Sequence, residues 1–263
     1  MHHISSRQNR FYKEWLRLAQ LAGSSRSDYV LLEGVHLSTA WLQHFGAPDA
    51  VILDQSQINE SALTELCDTL ATDVPIYALS SGLFKGLSDV VNPQGVIFVV
   101  PKLSPQALKE INQTCVLLDR VQDPGNLGTI LRTVAALGIQ HVFLTPGTVS
   151  AWSPKVLRSA QGAHFLTNIH EQVDFELWVK GLKIPLALTL LSPQSRSLYD
   201  SDLRGPIAWA FGNESQGVNP HWQDVAKHSL VIPHTDQIES LNVSVAAAVC
   251  LFEHHRQNLQ PLT

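Results

Sequence analysis

The 263-residue chain is 44% hydrophobic and only 16% charged, with a net charge of −5. That balance excludes wholesale disorder and indiscriminate binding to polyanions, and the length is ample for a sizeable core. Cys67, Cys115 and Cys250 lie far apart and form no CxxC pair. This argues against a disulfide framework or a cysteine-rich zinc site and for a reducing, cytoplasmic setting.

No basic segment followed by an apolar run opens the chain, so no secretory signal is expected. The longest apolar runs, residues 184–191 and 243–252, are too short to span a bilayer. Within residues 1–30, Arg7, Arg10, Lys13, Arg17 and Arg26 face only Glu14 and Asp28, whereas residues 31–75 contain no Lys or Arg. The simplest reading of the basic segment is a solvated helix face. The sharper one is a local surface for RNA phosphates, made by Arg10, Lys13, Arg17 and Arg26.

Residues 9–21 place Phe11, Trp15, Leu18 and Leu21 near one face, a helical period. Strand-like runs follow at 29–32, 50–53, 75–79 and 96–100, with helical patterns at 34–45, 59–70 and 80–87. This alternation predicts a small α/β domain over residues 1–100. Pro101 and Pro105 mark a linker, placed at 101–112. A second alternating series fills 113–263. Strands are expected at 116–119, 141–144, 184–190, 207–211 and 230–232, and helices at 126–137, 153–160 and 242–256. The continuously apolar strands suit a parallel sheet covered on both faces.

Familiar nucleotide and metal signatures fail. No GxGxxG follows a strand, and no HExxH is present. Gly212 and Gly217 have P-loop spacing, but Val218 and Asn219 stand where Lys and Ser/Thr are required. Three loops remain, each after a predicted strand. In the first, Asp123-Pro124-Gly125 is turn chemistry, Asn126 is placed to cap a helix, and Arg132 follows two turns on. In the second, a buried strand delivers Gly212, Asn213, Glu214 and Ser215. In the third, Ser240-Leu241-Asn242 leads into a helix of small apolar residues, with Ser240 or Asn242 as its cap. His164 and His234 read as structural residues, and Trp152 and Trp222 as packing ahead of base stacking.

In this order the loops resemble the three signature motifs of the SpoU (TrmH-like) branch of the SPOUT RNA methyltransferases. The match lies in NLGTILRT at 126–133, FGNESQG at 211–217 and IPHTDQIESLNVSVAAAV at 232–249. SPKVLRSAQGAHF at 153–165 resembles the connecting stretch of that family. The first 100 residues resemble more loosely its small RNA-binding domain, through YVLLEGVHL at 29–37. Two residues depart from the pattern: His234 replaces a common methionine and Asp236 a common glycine.

The resemblance implies an α/β fold in which a trefoil-knotted, parallel-sheet SPOUT domain at 113–263 follows the small α/β domain. It implies a homodimer, no metal, and S-adenosylmethionine held by backbone groups at Gly212, Ile232 and Leu241. The matching catalytic positions are Asn126, Arg132, Glu214, Ser240 and Asn242. The implied reaction is methyl transfer to a ribose 2′-hydroxyl of RNA, with rRNA favoured by the extra N-terminal domain. The alternatives are a tRNA 2′-O-methyltransferase and a non-catalytic RNA-binding scaffold. In this reading Arg132 clamps a phosphate or steadies the developing alkoxide, and Glu214 positions Arg132 or Asn126.

Overall fold

Asn9 starts the first helix: its Oδ1 accepts hydrogen bonds from the backbone N–H groups of Phe11 and Tyr12. The computed structural model describes residues 1–21, 27–235 and 237–259, so Arg26 and Asp236 lie outside the described residues. In chain order the elements begin β1 (His2–Ile4), α1 (Arg10–Gln20), β2 (Tyr29–Glu33), α2 (Val35–Phe45) and β3 (Ala50–Asp54). They continue α3 (Ser61–Asp68), β4 (Ile76–Leu79), α4 (Ser81–Leu87) and β5 (Val96–Pro101). Then come β6 (Cys115–Leu118), α5 (Pro124–Ala136), β7 (His141–Leu144), α6 (Pro154–Ala160), β8 (Asn168–His170) and α7 (Phe175–Gly181). The chain closes with β9 (Leu186–Thr189), β10 (Arg196–Ser197), β11 (Ala208–Phe211), β12 (His228–Val231) and α8 (Val243–Asn258).

The chain divides into two compact units, Met1–Leu103 with Trp152–Phe165, and Ser104–Ala151 with Leu166–Thr263. The first unit holds a sheet of order β1-β4-β3-β5-β2, in which β5 runs antiparallel to β2 and β3. Helix α1 buries Tyr12 and Trp15 against Ile52, Leu79 and Phe84. Its opposite face exposes Arg10, Lys13 and Arg17. The stretch 153–165 groups in space with the first unit. Its apolar side chains decide this: Val156, Leu157 and Ala160 bury one face of α6, and Phe165 meets Trp41 edge-on with centroids 5.6 Å apart.

The second unit is a parallel sheet of order β10-β12-β9-β11-β6-β7-β8. Strands β6 and β11 sit side by side near its middle and are wholly buried, which explains their unbroken apolar sequences. Burying a side chain such as Phe211 stabilises the fold by roughly 1.5–3 kcal/mol. Trp209 of β11 donates its indole N–H to His254 Nδ1 of α8 at 2.8 Å, and His254 Nε2 lies 3.0 Å from the Gly205 carbonyl. A carbonyl only accepts, so Nε2 carries the proton and the buried ring is held neutral; burial lowers its pKa.

From β6 the chain moves outward through β7 to β8, then crosses to the far side for β9. The order therefore reverses between β6 and β11. In open parallel sheets the crevice at the carboxyl ends beside such a reversal is where ligands bind.

Candidate functional site

The first loop leaves β6 at the buried Asp119. Asp123, not Asn126, caps α5, through Oδ1 to the Asn126 N–H at 2.8 Å. Pro124 explains the shift from the expected cap: proline favours the first helical position, so the residue before it becomes the cap. Asn126 then lies inside the first turn with its amide free for other partners. Its Nδ2 donates to Glu214 Oε1 at 3.0 Å, and its Oδ1 accepts from Asn242 Nδ2 at 2.9 Å. One side chain thus joins all three loops.

Glu214 also accepts from the backbone N–H groups of Gln122 and Asp123, at 3.3 and 3.2 Å. Burial pushes its carboxyl up, but the hydrogen bonds, led by Asn126, outweigh that and hold it below its ordinary value. A carboxylate with its lone pairs so engaged is an anchor for the first loop. Of the two partners expected for it, Glu214 takes Asn126.

The second loop is a tight closure after β11. Asn213 and Gly217 exchange backbone hydrogen bonds of 3.0 and 2.9 Å, and Asn213 Oδ1 accepts from the N–H groups of Ser215 and Gln216. A Cβ on Gly212 would lie 2.0 Å from the Gly217 carbonyl carbon and 2.1 Å from Val218 N. Only glycine fits there.

In the third loop Asn242 is the cap of α8, its Oδ1 accepting from Ser244 N at 2.9 Å and Val245 N at 3.3 Å. Ser240 is exposed and takes no part in the cap. His234 Nδ1 lies 2.7 Å from the Ile232 carbonyl and so donates to it.

The second and third loops border a cavity of about 610 Å³ at the carboxyl ends of β9, β11 and β12, and Asn126 of the first loop reaches it only through its bonds to Glu214 and Asn242. Gly212, Ile232, Ser240, Leu241 and Asn242 all line it. Among the described residues its charged lining groups are Glu214 and Glu239, with no Lys or Arg. Leu190, Leu191, Val231, Leu241 and Val243 supply an apolar wall. Arg132 stands apart, exposed on α5, and among the described residues it makes no recorded hydrogen bond or ion pair. Trp222 is buried and stacks on Phe175 at 4.1 Å, and Trp152 packs beside His164, so both tryptophans are core.

Asp119 and Arg120 escaped the motif reading. Asp119 accepts from Thr145 Oγ1, from Asn219 N and from the Arg120 guanidinium. The sequence signal was slight: an acid ending an apolar strand.

Among the described residues no helix is long and apolar enough to cross a membrane, and no group of three or more His, Cys, Asp or Glu is placed to hold a metal. The SpoU rRNA methylase family matches residues 113–252. The chain belongs to this family. Among SpoU relatives, it is 34% identical to an uncharacterised tRNA/rRNA methyltransferase of Synechocystis sp., over 97% of this chain and 93% of the other. It is 31% identical to the 23S rRNA (guanosine(2553)-2′-O)-methyltransferase RlmP of Bacillus subtilis, over 96% of this chain and 98% of that one. A crystal structure of an RNA 2′-O ribose methyltransferase superposes with a TM-score of 0.78 at 28% identity, covering 97% of this SpoU chain and 98% of that one.

Proposed function

We propose that the protein transfers a methyl group from S-adenosylmethionine to a ribose 2′-hydroxyl of rRNA. The observation that carries this reading is the Glu214–Asn126–Asn242 chain of hydrogen bonds bordering the cavity at the carboxyl ends of β9, β11 and β12. Membership of the SpoU family and the 2′-O-methylating relatives support the reaction. RlmP, named for 23S rRNA, supports rRNA over tRNA.

The cavity suits the cofactor. Its volume falls within the range of about 300–1,000 Å³ usual for small-molecule sites. Among the described residues the lining holds two carboxylates and no Lys or Arg, which favours a ligand carrying positive charge. Gly212, Ile232 and Leu241 line the cavity and supply the backbone groups that would hold it. Bound there, it supplies an activated methyl group, and neither a metal nor a covalent enzyme intermediate is needed.

The chain's own task is to orient a weak nucleophile, whose proton would pass to solvent water as the O–CH3 bond forms. Glu214, Ser240 and Asn242 set the shape of the catalytic wall, and Asn126 holds Glu214 and Asn242 in place from behind it. Arg132, exposed and without a protein partner among the described residues, is available to a phosphate or a developing alkoxide. Arg132 would act through its positive charge and its fork of N–H donors. Arg10, Lys13 and Arg17 on the open face of α1 give the RNA a second, phosphate-directed contact. Val245 and Phe252, one heptad apart and both about half exposed on α8, offer a face to a second copy in a homodimer. The setting proposed is the cytoplasm.

The test is transfer of labelled methyl from S-adenosylmethionine to unmodified rRNA and, in parallel, to tRNA. Label in rRNA alone supports the reading. Label in tRNA alone selects the tRNA alternative, and cofactor binding without transfer to either selects the scaffold.

A further inference from the structure

Arg120 has a left-handed backbone, φ +54, a conformation that favours glycine. A residue held there against its preference is over-determined by its surroundings, and the surroundings are visible. Its N–H donates to Thr145 Oγ1 at 3.1 Å, and its carbonyl accepts from Asn213 Nδ2 at 2.9 Å. Nε and Nη2 form a two-pronged contact with both oxygens of the buried Asp119, at 3.2 and 3.1 Å. Nη1 is thereby aimed across the loop mouth, and donates to Gln216 Oε1 at 2.9 Å.

We propose that Arg120 is a positioning residue for the cofactor site, acting through Gln216; this rests on the methyltransferase reading above. Arg120 grips the 213–217 loop twice, by its carbonyl at Asn213 and by its guanidinium at Gln216, and both of those residues line the cavity. A guanidinium has only donors, so Gln216 must offer its carbonyl oxygen to Arg120. That fixes the amide's orientation and reserves its two N–H donors for something else. In a cavity whose charged lining groups are both carboxylates, neutral N–H donors are what the lining has for a ligand's acceptor groups. Asp119 completes the device. Its remaining bonds, from Thr145 just after β7 and from the backbone N–H of Asn219, anchor it, so the guanidinium is braced against a fixed point.

The test is calorimetric titration of S-adenosylmethionine into the full-length wild type, Arg120→Met, Arg120→Lys, Gln216→Ala and the double variant Arg120→Met/Gln216→Ala. Thermal melting is followed alongside. Gln216 is exposed, so Gln216→Ala should fold normally and keeps the test open if Arg120→Met does not. Each single change should weaken binding roughly five- to tenfold, and the double variant should be no worse than the weaker single one, because both cut the same link. Arg120→Lys should recover part of the loss, since an ammonium keeps the charge but not the fork. Single effects that multiply in the double variant, or wild-type affinity in Gln216→Ala, would overturn the inference alone. Failure of the wild type to bind S-adenosylmethionine would overturn the methyltransferase reading and this inference with it.

Discussion

The Asn126 side-chain carbonyl accepts a hydrogen bond from Asn242 Nδ2 at 2.9 Å, across 116 residues of sequence. Because the amide of Asn126 is also given to Glu214, its two ends face opposite chemistry: a donor on one side, a carboxylate on the other. Only a side chain with both a donor and an acceptor satisfies that place.

Asn126→Asp tests this directly. The new carboxylate keeps the acceptor for Asn242 but sets a second negative group beside Glu214, which raises the proton affinity of the pair. Methyl transfer by Asn126→Asp should therefore fall below that of Asn126→Ala at neutral pH. It should recover toward the Asn126→Ala rate as the pH is lowered to about 5, where a shared proton restores a donor. A pH–rate profile of both variants is the measurement.

Much of this site was legible in the sequence, and the exceptions have physical reasons. Loop positions following apolar strands were clear because parallel strands advertise themselves by unbroken hydrophobicity, as β6 and β11 do. Asn242 as the α8 cap was one of two candidates, and local pattern had no means of choosing between them. Asn126 was misread as a cap because its partners lie 88 and 116 residues away, where spacing rules do not reach. The short β1 went unseen because two of its three residues are exposed histidines; β8, α7 and β10 were too short to show a period.

Glu214 links the site to acid stability. Its carboxyl titrates below the ordinary 4.5 because hydrogen bonds favour the charged form over the cost of burial. A group depressed in the folded state contributes stability that is present above its unfolded value and is lost as pH falls through the folded one. Urea midpoints of the wild type should therefore decline as pH drops below about 4.5. Glu214→Gln should be less stable at pH 7 and show a shallower decline over that range.

Gly212→Ala should be among the most damaging single changes. The added carbon would sit 2.0–2.3 Å from backbone atoms of Gly217 and Val218, which cannot swing aside as a flexible side chain does. Overpacking of this kind costs about 1–3 kcal/mol and occasionally more. The urea midpoint should fall with the slope unchanged, and binding of S-adenosylmethionine should be lost at concentrations that saturate the wild type.

Arg132→Ala separates chemistry from folding. The side chain is exposed and makes no recorded polar contact among the described residues, so stability should change by no more than about 0.5 kcal/mol. Cofactor affinity should also persist, because Arg132 does not line the cavity. Single-turnover methylation should fall roughly 10²–10³-fold, as it does when a donor to a developing oxyanion is removed. Arg132→Lys should recover little, lacking the planar fork.

The central claim, that the methyl group goes to a ribose hydroxyl, is tested most directly by the product. Unmodified rRNA is incubated with the protein and S-adenosylmethionine, digested to nucleosides and analysed by mass spectrometry. The account predicts one nucleoside whose added mass lies on the sugar, formed more slowly when Asn126→Ala is used. Methyl on a base with none on ribose would contradict it.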